Sequence, residues 1–200
     1  MNTHRLPSFR HLAVVLVTGL FLTATIPRCL AQVSIYARFL DGTGVWAGES
    51  SVPGRTGWTD LKSGSFGASI PVTIGGGGTV GRASFDNIVL SKVVDRLTPQ
   101  IFANLSTGTS LNGGGANGDA TIEFVRTVNA TPVVFFRYEL RSVFFTKSLS
   151  SSIAGDATLS ETVTMVANAV RYTYWPILPN GTQGTPIIKM WNVVANNATF

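Results

Sequence analysis

The chain has 200 residues, with 15 basic and 10 acidic side chains, two histidines, one cysteine and a formal net charge of +5 at pH 7. Three of the basic residues, both histidines and the cysteine lie before residue 32, so residues 32–200 carry 12 basic and 10 acidic residues, a formal charge of +2. That small charge gives no reason to expect nucleic acid or an acidic membrane as a partner. The absence of histidine and cysteine from residues 32–200 excludes a serine–histidine catalytic pair, a cysteine- or histidine-bound zinc and an internal disulfide there.

The first 31 residues are typical of a secretory signal peptide. A head with two arginines precedes an apolar run over residues 12–26, and a small-x-small triplet ends at Ala31. The apolar run is shorter than the roughly 20 residues needed to span a bilayer, which disfavours an uncleaved anchor. Lipidation of Cys29 is disfavoured because Arg28 stands where such sites need a small residue. We predict cleavage between Ala31 and Gln32 and a secreted protein, either extracellular or periplasmic, without a membrane span after cleavage.

Residues 32–200 are predicted to form one mainly β domain, a barrel or a sandwich, with one short α-helix. Strand-forming residues dominate seven runs separated by turn signals: 33–40, 65–74, 79–93, 120–128, 132–147, 157–174 and 187–195. The fourth and fifth runs are joined by Asn129-Ala130-Thr131, which predicts an antiparallel pair. The fifth run has apolar residues on both faces, which favours a central position in the sheet.

The predicted helix begins near Thr98 and ends at Gly108. The Thr98 hydroxyl can cap the first turn, and Pro99 suits the first helical position. Three apolar residues recur at helical spacing: Ile101, Phe102 and Leu105. The alternative interpretation of this segment is a loop turn.

Two glycine-rich segments are candidates for phosphate-binding loops, and both lack the required context. Residues 113–118 match G-x-G-x-x-G, but this fingerprint needs a helix after it, and a predicted strand follows instead. The second segment lacks the Lys-Ser/Thr pair of a P-loop; it consists of Gly75, Gly76, Gly77 and Gly78. We predict no nucleotide cofactor, and we expect the four-glycine loop to make contacts between subunits.

Residues 32–200 contain few of the side chains that catalysis or metal binding requires. A catalytic Ser–Lys pair could in principle use any of four lysines, but we interpret all four as exposed charges. They are Lys62, Lys92, Lys147 and Lys189. Glu139 lies between Arg137 and Arg141 on one strand face, which predicts cross-strand ion pairs rather than an acid–base centre. No acidic cluster has the spacing of a calcium loop. We therefore predict no catalytic, metal-binding or cofactor-binding residues and no enzymatic activity.

Aromatic residues suggest the main alternative function. Trp46, Trp58 and Tyr36 could build a sugar-binding face on a monomeric secreted module that binds carbohydrate or a surface protein. Aromatic residues on β-strands more often pack in the core than present a ligand platform. We interpret Trp175 and Trp191 as packing residues for the same reason.

Six segments in order resemble the haemolysin-coregulated protein family, the tube proteins of type VI secretion. No single segment is specific, but the order is hard to reach by chance. The segments are Gly48-Glu49-Ser50, Ser63-Gly64-Ser65-Phe66-Gly67, the four glycines from Gly75, residues 85–108 (FDNIVLSKVVDRLTPQIFANLSTG), Leu159-Ser160-Glu161-Thr162-Val163 and Trp191-Asn192-Val193-Val194-Ala195-Asn196-Asn197.

The resemblance implies a β-barrel with one helix, assembled into a hexameric ring, with rings that stack into a hollow tube able to carry small effectors. On this basis the four-glycine loop would reach a neighbouring ring. The leader departs from the family pattern, because such tubes assemble in the cytoplasm. The resemblance and the leader together predict an exported subunit that forms rings and builds a tube or filament outside the cell.

Overall fold

The computed structural model describes residues 32–74, 79–113, 115 and 118–200. The predicted leader with Ala31, and the four glycines from Gly75 to Gly78, lie outside the described residues. In chain order the elements are β1 (Val33–Asp41), β2 (Gly44–Val45), β3 (Thr59–Ser65), β4 (Ala68–Ser69), β5 (Val72–Thr73), β6 (Thr79–Val80), β7 (Ser84–Phe85), β8 (Ile88–Val93), α1 (Leu97–Thr107), β9 (Ala120–Val128), β10 (Thr131–Ser151), β11 (Ser160–Tyr174) and β12 (Ile187–Asn192).

Six of the strands close into an antiparallel β-barrel, as the mainly β prediction requires. Their order is β10-β9-β1-β3-β8-β11, and β10 pairs with β11 to complete the circle. One edge of β11 is shared, because β8 pairs with its first half and β12 with its second half. The barrel is filled by alternate strand residues that are almost fully buried, including Phe39, Leu90, Ile122, Leu140 and Met165.

The predicted pairing of the fourth and fifth runs is confirmed by β9 and β10, and β10 is central between β9 and β11. Asn129 and Ala130 form the two-residue connection, with φ values of 49° and 62°. Positive φ at both central residues is what a type I′ hairpin requires, and asparagine adopts that conformation more readily than most residues.

The predicted strands at 65–74 and 79–93 are not continuous, and the sequence prediction missed β3. Thr59–Ser65 pairs with both β1 and β8 and is therefore a wall of the barrel. Beyond Ser65 the chain leaves the barrel as an irregular two-stranded extension, residues 66–87, which we call the arm. Its two sides pair through only two short ladders, β4 with β7 and β5 with β6.

Helix α1 confirms the predicted element but not its predicted start. The helix begins at Leu97, so Pro99 is its third residue, and the Thr98 hydroxyl makes no cap. The Asp95 carboxylate accepts the Leu97 N–H at 2.9 Å instead. Gly108 ends the helix in the left-handed conformation, with φ of 64°.

The helix packs on the barrel through one side only. Leu97 and Ile101 belong to the barrel core, and Leu105 packs against it. Phe102 is 66% exposed, so its helical spacing does not place it in the core of this chain.

Candidate functional site

A buried ion cluster lies where the end of β8 meets the start of β11. Lys92 and Glu161 are 1% and 0% exposed, and the Lys92 ammonium lies 2.9 Å from a Glu161 carboxylate oxygen. The same ammonium lies 2.6 Å from Asp95, whose second oxygen accepts the Thr59 hydroxyl at 2.5 Å. The expectation that Lys92 is an exposed charge is therefore wrong, since its side chain points into the barrel.

Hydroxyl groups complete the cluster around Glu161. Thr98 and Ser148 donate to its two carboxylate oxygens at 2.6 and 2.7 Å. Burial opposes ionisation of Glu161, but these two hydrogen bonds and the Lys92 ammonium together hold the pKa of Glu161 below its ordinary value. The carboxylate is thus kept charged inside the protein, where only a fully paired charge is tolerated.

Two of the segments that carried the family resemblance meet in this cluster. Lys92, Asp95 and Thr98 come from residues 85–108, and Glu161 comes from the Leu-Ser-Glu-Thr-Val segment. The cluster joins β8, α1, β10 and β11. Its residues are saturated by one another, so their arrangement fixes the helix on the barrel and leaves no group directed at a ligand.

The outer face of β9, β10 and β11 carries a second set of ion pairs. Arg137 lies opposite Glu123 in the β9–β10 register, and its guanidinium donates to Glu123 at 2.6 and 2.9 Å. Arg55, from the loop before β3, reaches the other Glu123 oxygen at 2.8 Å. Glu123 is 5% exposed and is bound by two cations from different parts of the chain.

Glu139 belongs to this face, and its predicted role in cross-strand ion pairs is confirmed. It lies opposite Arg171, which donates two hydrogen bonds to it at 2.6 and 2.8 Å. The hydrogen bonds and the Glu139 charge raise the pKa of Arg171 against the opposing effect of burial. Arg141 makes no ion pair with Glu139; it and Arg171 lie over the ring of Phe200, at 4.5 and 4.4 Å.

The proposed sugar-binding face is not formed. Trp46 is buried in the core and stacks on Phe145, with ring centroids 5.9 Å apart. Tyr36 is buried under the guanidinium of Arg55, and Trp58 is covered by that of Arg38, each at 5.2 Å. The three aromatic residues therefore serve packing and cation–π contacts, and they present no common open surface.

The G-x-G-x-x-G segment leads into a strand, as predicted, because β9 begins at Ala120. Its first glycine has a structural role. A Cβ atom at Gly113 would overlap the carbonyl group of Asp41, so the segment crosses the end of β1 at a distance that only glycine permits.

One of the Ser–Lys pairs that the sequence left formally open is present as a contact. The Lys62 ammonium donates to the Ser160 hydroxyl at 2.9 Å on the exposed side of β3 and β11. Lys62 is exposed, as expected. Among the described residues, no group of three or more His, Cys, Asp or Glu side chains is placed to hold a metal ion.

The arm carries the most prominent apolar surface of the described residues. Ile70, Val72 and Val80 are about half exposed or more, and Ile74 is 95% exposed. Val72 and Val80 are partners in the β5–β6 ladder, whereas Ile70 and Ile74 lie just outside the ladders of the arm. A two-stranded ribbon with such side chains is marginal in water, so the arm is a surface suited to contact with another molecule.

The described residues form a closed β-barrel with a buried ion cluster, one helix and an apolar arm, which defines a β-barrel structural protein. The family model described as "Type VI secretion system effector, Hcp" matches residues 39–174. The chain belongs to this family.

Solved structures agree with the fold. The structure of a type six secretion system protein has a TM-score of 0.71 and 18% identity, with 84% of this chain and 100% of that chain covered. Hcp1 from Salmonella typhimurium has a TM-score of 0.65 and 19% identity, covering 85% and 100%. Secreted protein Hcp3 from Pseudomonas aeruginosa has a TM-score of 0.55 and 16% identity, covering 80% and 98%. No curated protein matches the chain in sequence.

The described part of the chain contains no helix that combines the length and apolar character needed to cross a membrane.

Proposed function

We propose that this protein is an exported structural subunit, without enzymatic activity, that assembles into hexameric rings. The rings stack into a hollow tube or an extracellular filament, whose lumen has room for small effector cargo. The proposal rests on family membership and on one physical observation, the apolar arm. The alternative of a monomeric carbohydrate-binding module loses its support because its aromatic residues are covered.

The arm carries the proposal because it is costly to leave in water. Four aliphatic side chains that are 46–95% exposed lie on a ribbon held by two-residue ladders. Burying one such side chain stabilises a structure by roughly 1.5–3 kcal/mol, so a second copy that covers the arm gains several kcal/mol. Identical subunits in a closed ring meet through two different surfaces, and an arm supplies one of them.

The edge of β12 is a further surface suited to assembly. On its other side β12 pairs with β11, and two exposed isoleucines, Ile187 and Ile188, precede Lys189. An exposed strand edge invites pairing with another chain, and a lysine on the edge discourages unselective pairing. We assign this edge to contacts within the ring.

Export accounts for the first 31 residues. We propose that the leader is removed between Ala31 and Gln32 and that residues 32–200 fold outside the cytoplasm as one domain. Because these residues contain no cysteine, folding there needs no disulfide chemistry. Mass spectrometry of the exported protein tests this step, and a mass that includes residues 1–31 would refute it.

We propose that contacts between rings are made by Gly75, Gly76, Gly77 and Gly78, which follow β5 and precede β6 in the sequence and lie outside the described residues. Deleting the four glycines should leave rings intact and abolish stacking. Unchanged tubes after the deletion would remove this assignment.

The deciding experiment uses the full chain, expressed with its leader and isolated from the exported fraction. Size-exclusion chromatography with light scattering gives the mass, and negative-stain images of the same peak give the shape. Rings of six subunits are expected. A matched variant with Ile74→Ser and Val80→Ser should dissociate at a higher concentration than the wild type, and a monomeric wild type at micromolar concentration would refute the proposal.

A further inference from the structure

A preformed cavity of about 240 Å³ lies between the base of the arm, β11 and the residue that follows β12. Most of its lining residues are apolar and three of them are aromatic, namely Phe66, Phe85 and Tyr172; Asp86 and Asn168 are the polar residues of the lining. A cavity of roughly 150 Å³ is already large enough for a benzene ring. The space therefore accommodates one phenyl side chain, and three aromatic walls offer it edge-to-face contacts.

The cavity walls are held in place by bonds between distant segments. Arg82 of the arm donates to the backbone carbonyls of Val193 and Val194. The Val193 N–H donates to the Asn168 carbonyl of β11 at 2.7 Å. These contacts fix the arm base and the chain after β12 against β11, so the cavity is part of the fold and does not need a ligand to open it.

A matching apolar side chain stands on helix α1. The eleven residues of α1 contain no charged side chain, although surface helices usually present a charged outer face. Pro99, Phe102, Ala103 and Ser106 form an exposed stripe at helical spacing, with Phe102 at 66% exposure. A phenyl ring on a rigid helix is well suited to insertion, because little conformational entropy is lost on binding.

The stripe does not fill the cavity of its own chain. No residue of α1 is among the residues that line the cavity, and Phe102 is 66% exposed. A contact between the two features therefore joins two copies through different surfaces.

We propose that Phe102 of one copy inserts into the Phe66–Phe85 cavity of a second copy. This inference rests on the proposed self-assembly and names one of its contacts. Charge complementarity supports the same docking. Asp86 lines the cavity, is exposed and has no ion pair among the described residues. Arg96, directly before α1, has a side chain that is 74% exposed, with a 3.8 Å contact to Glu49.

The test uses engineered cysteines in the full chain, which is favourable because residues 32–200 contain none. In a Cys29→Ser background, Ser106→Cys combined with Val193→Cys keeps Phe102 and places one thiol one turn from it on the stripe and one at the cavity. Mild oxidation should produce a ladder of covalent multimers under denaturing electrophoresis. The matched control combines Gln100→Cys with Val193→Cys, because Gln100 is exposed on the same helix but projects about 160° away from Phe102; it should give no ladder.

A second measurement does not depend on thiol geometry. Phe102→Ser should raise the concentration at which half of the assembly dissociates by about tenfold or more, the loss typical of a buried aromatic anchor. The far-UV spectrum should not change, because Phe102 is outside the core.

The outcomes separate the two proposals. If the wild type assembles, but the Ser106→Cys, Val193→Cys variant yields no ladder and Phe102→Ser leaves assembly unchanged, this docking is overturned while self-assembly stands. A monomeric wild type would overturn the proposed function and this inference with it.

Discussion

Replacing Lys92 by methionine removes the cation at the centre of the buried cluster while keeping a side chain of similar length. The ammonium lies 2.6 Å from Asp95 and 2.9 Å from Glu161, and it also donates to the Val93 carbonyl at 2.9 Å. The substitution leaves two carboxylates without their countercharge inside the protein. We therefore expect Lys92→Met to destabilise the folded chain strongly.

The magnitude follows from the partners that remain. Removing one member of a buried ion pair costs about 3–5 kcal/mol, because the other charge stays buried. Glu161 keeps the hydroxyl donors Thr98 and Ser148, and Asp95 keeps Thr59, so the lower end of that range applies. A loss of about 3 kcal/mol is a large part of the roughly 5–15 kcal/mol that stabilises a domain.

Urea unfolding followed by tryptophan fluorescence at pH 7 measures this loss. With a slope of about 2 kcal/mol per molar urea, the midpoint should fall by about 1.5 M. Lys62→Met is the matched control, since Lys62 is exposed and its substitution should change stability by less than about 1 kcal/mol. Adding Glu161→Gln to Lys92→Met should restore part of the loss. Equal midpoints for the two single lysine variants would refute the role assigned to the cluster.

Three further predictions concern stability. The pKa of Glu161 is lower in the folded chain than in the unfolded chain. The stability that ionised Glu161 contributes is therefore fully present above its unfolded-state pKa and is lost as the pH falls through its folded-state pKa. The difference in unfolding free energy between wild type and Glu161→Gln should narrow between pH 5 and pH 3 in urea titrations. Gly113→Ala forces a Cβ atom against the Asp41 backbone and should cost about 1–3 kcal/mol, measured as a lower thermal midpoint. Glu139→Gln removes the charge that Arg171 binds through two hydrogen bonds and should cost about 1.5–3 kcal/mol in urea unfolding.

Each of these three has a contrasting measurement. A difference between wild type and Glu161→Gln that stays constant from pH 5 to pH 3 contradicts the lowered pKa. Gly42→Ala is the control for Gly113→Ala, because a Cβ there meets only one side-chain atom at 3.5 Å and no backbone. Glu49→Gln is the control for Glu139→Gln, since Glu49 is exposed; equal effects at the two positions would show that the Glu139 pair contributes little.

The sequence predicted the barrel well where local signals and burial agree. The Asn129-Ala130 turn and the two-sided apolar character of β10 both identify a central hairpin, and the structure has it there. It failed at β3, whose Thr59-Asp60-Leu61-Lys62 start alternates polar and apolar residues too briefly to stand out. That strand is defined by its partners β1 and β8, so its existence depends on contacts that local patterning does not contain.

The buried ion cluster could not be predicted from the sequence for the same reason, because it depends on contacts between distant segments. Residues Lys92 and Glu161 are 69 positions apart in the sequence, and a lysine by itself predicts an exposed charge because lysine is almost never fully buried unless it is paired. The alternation in β8 offered a usable signal, because Lys92 shares the inward parity of Ile88 and Leu90. The predicted start of α1 was wrong for a related reason. The Thr98 hydroxyl donates to Glu161, and the Asp95 carboxylate accepts the N–H of Leu97 in the first turn instead.

The order of strands around the barrel has a consequence for how the chain folds. The β9–β10 and β10–β11 pairs join segments that are close in sequence, whereas β1 pairs with β9 across more than 80 residues and β8 with β11 across about 70. Contacts at long sequence separation require the larger loop-closure entropy and form late. We expect the β9–β10–β11 meander to form first and to remain an open sheet with free edges until β1 and β8 arrive. During that interval the chain is most vulnerable to pairing with another unfolded copy, so a factor that binds the open meander would raise the yield of folded subunits.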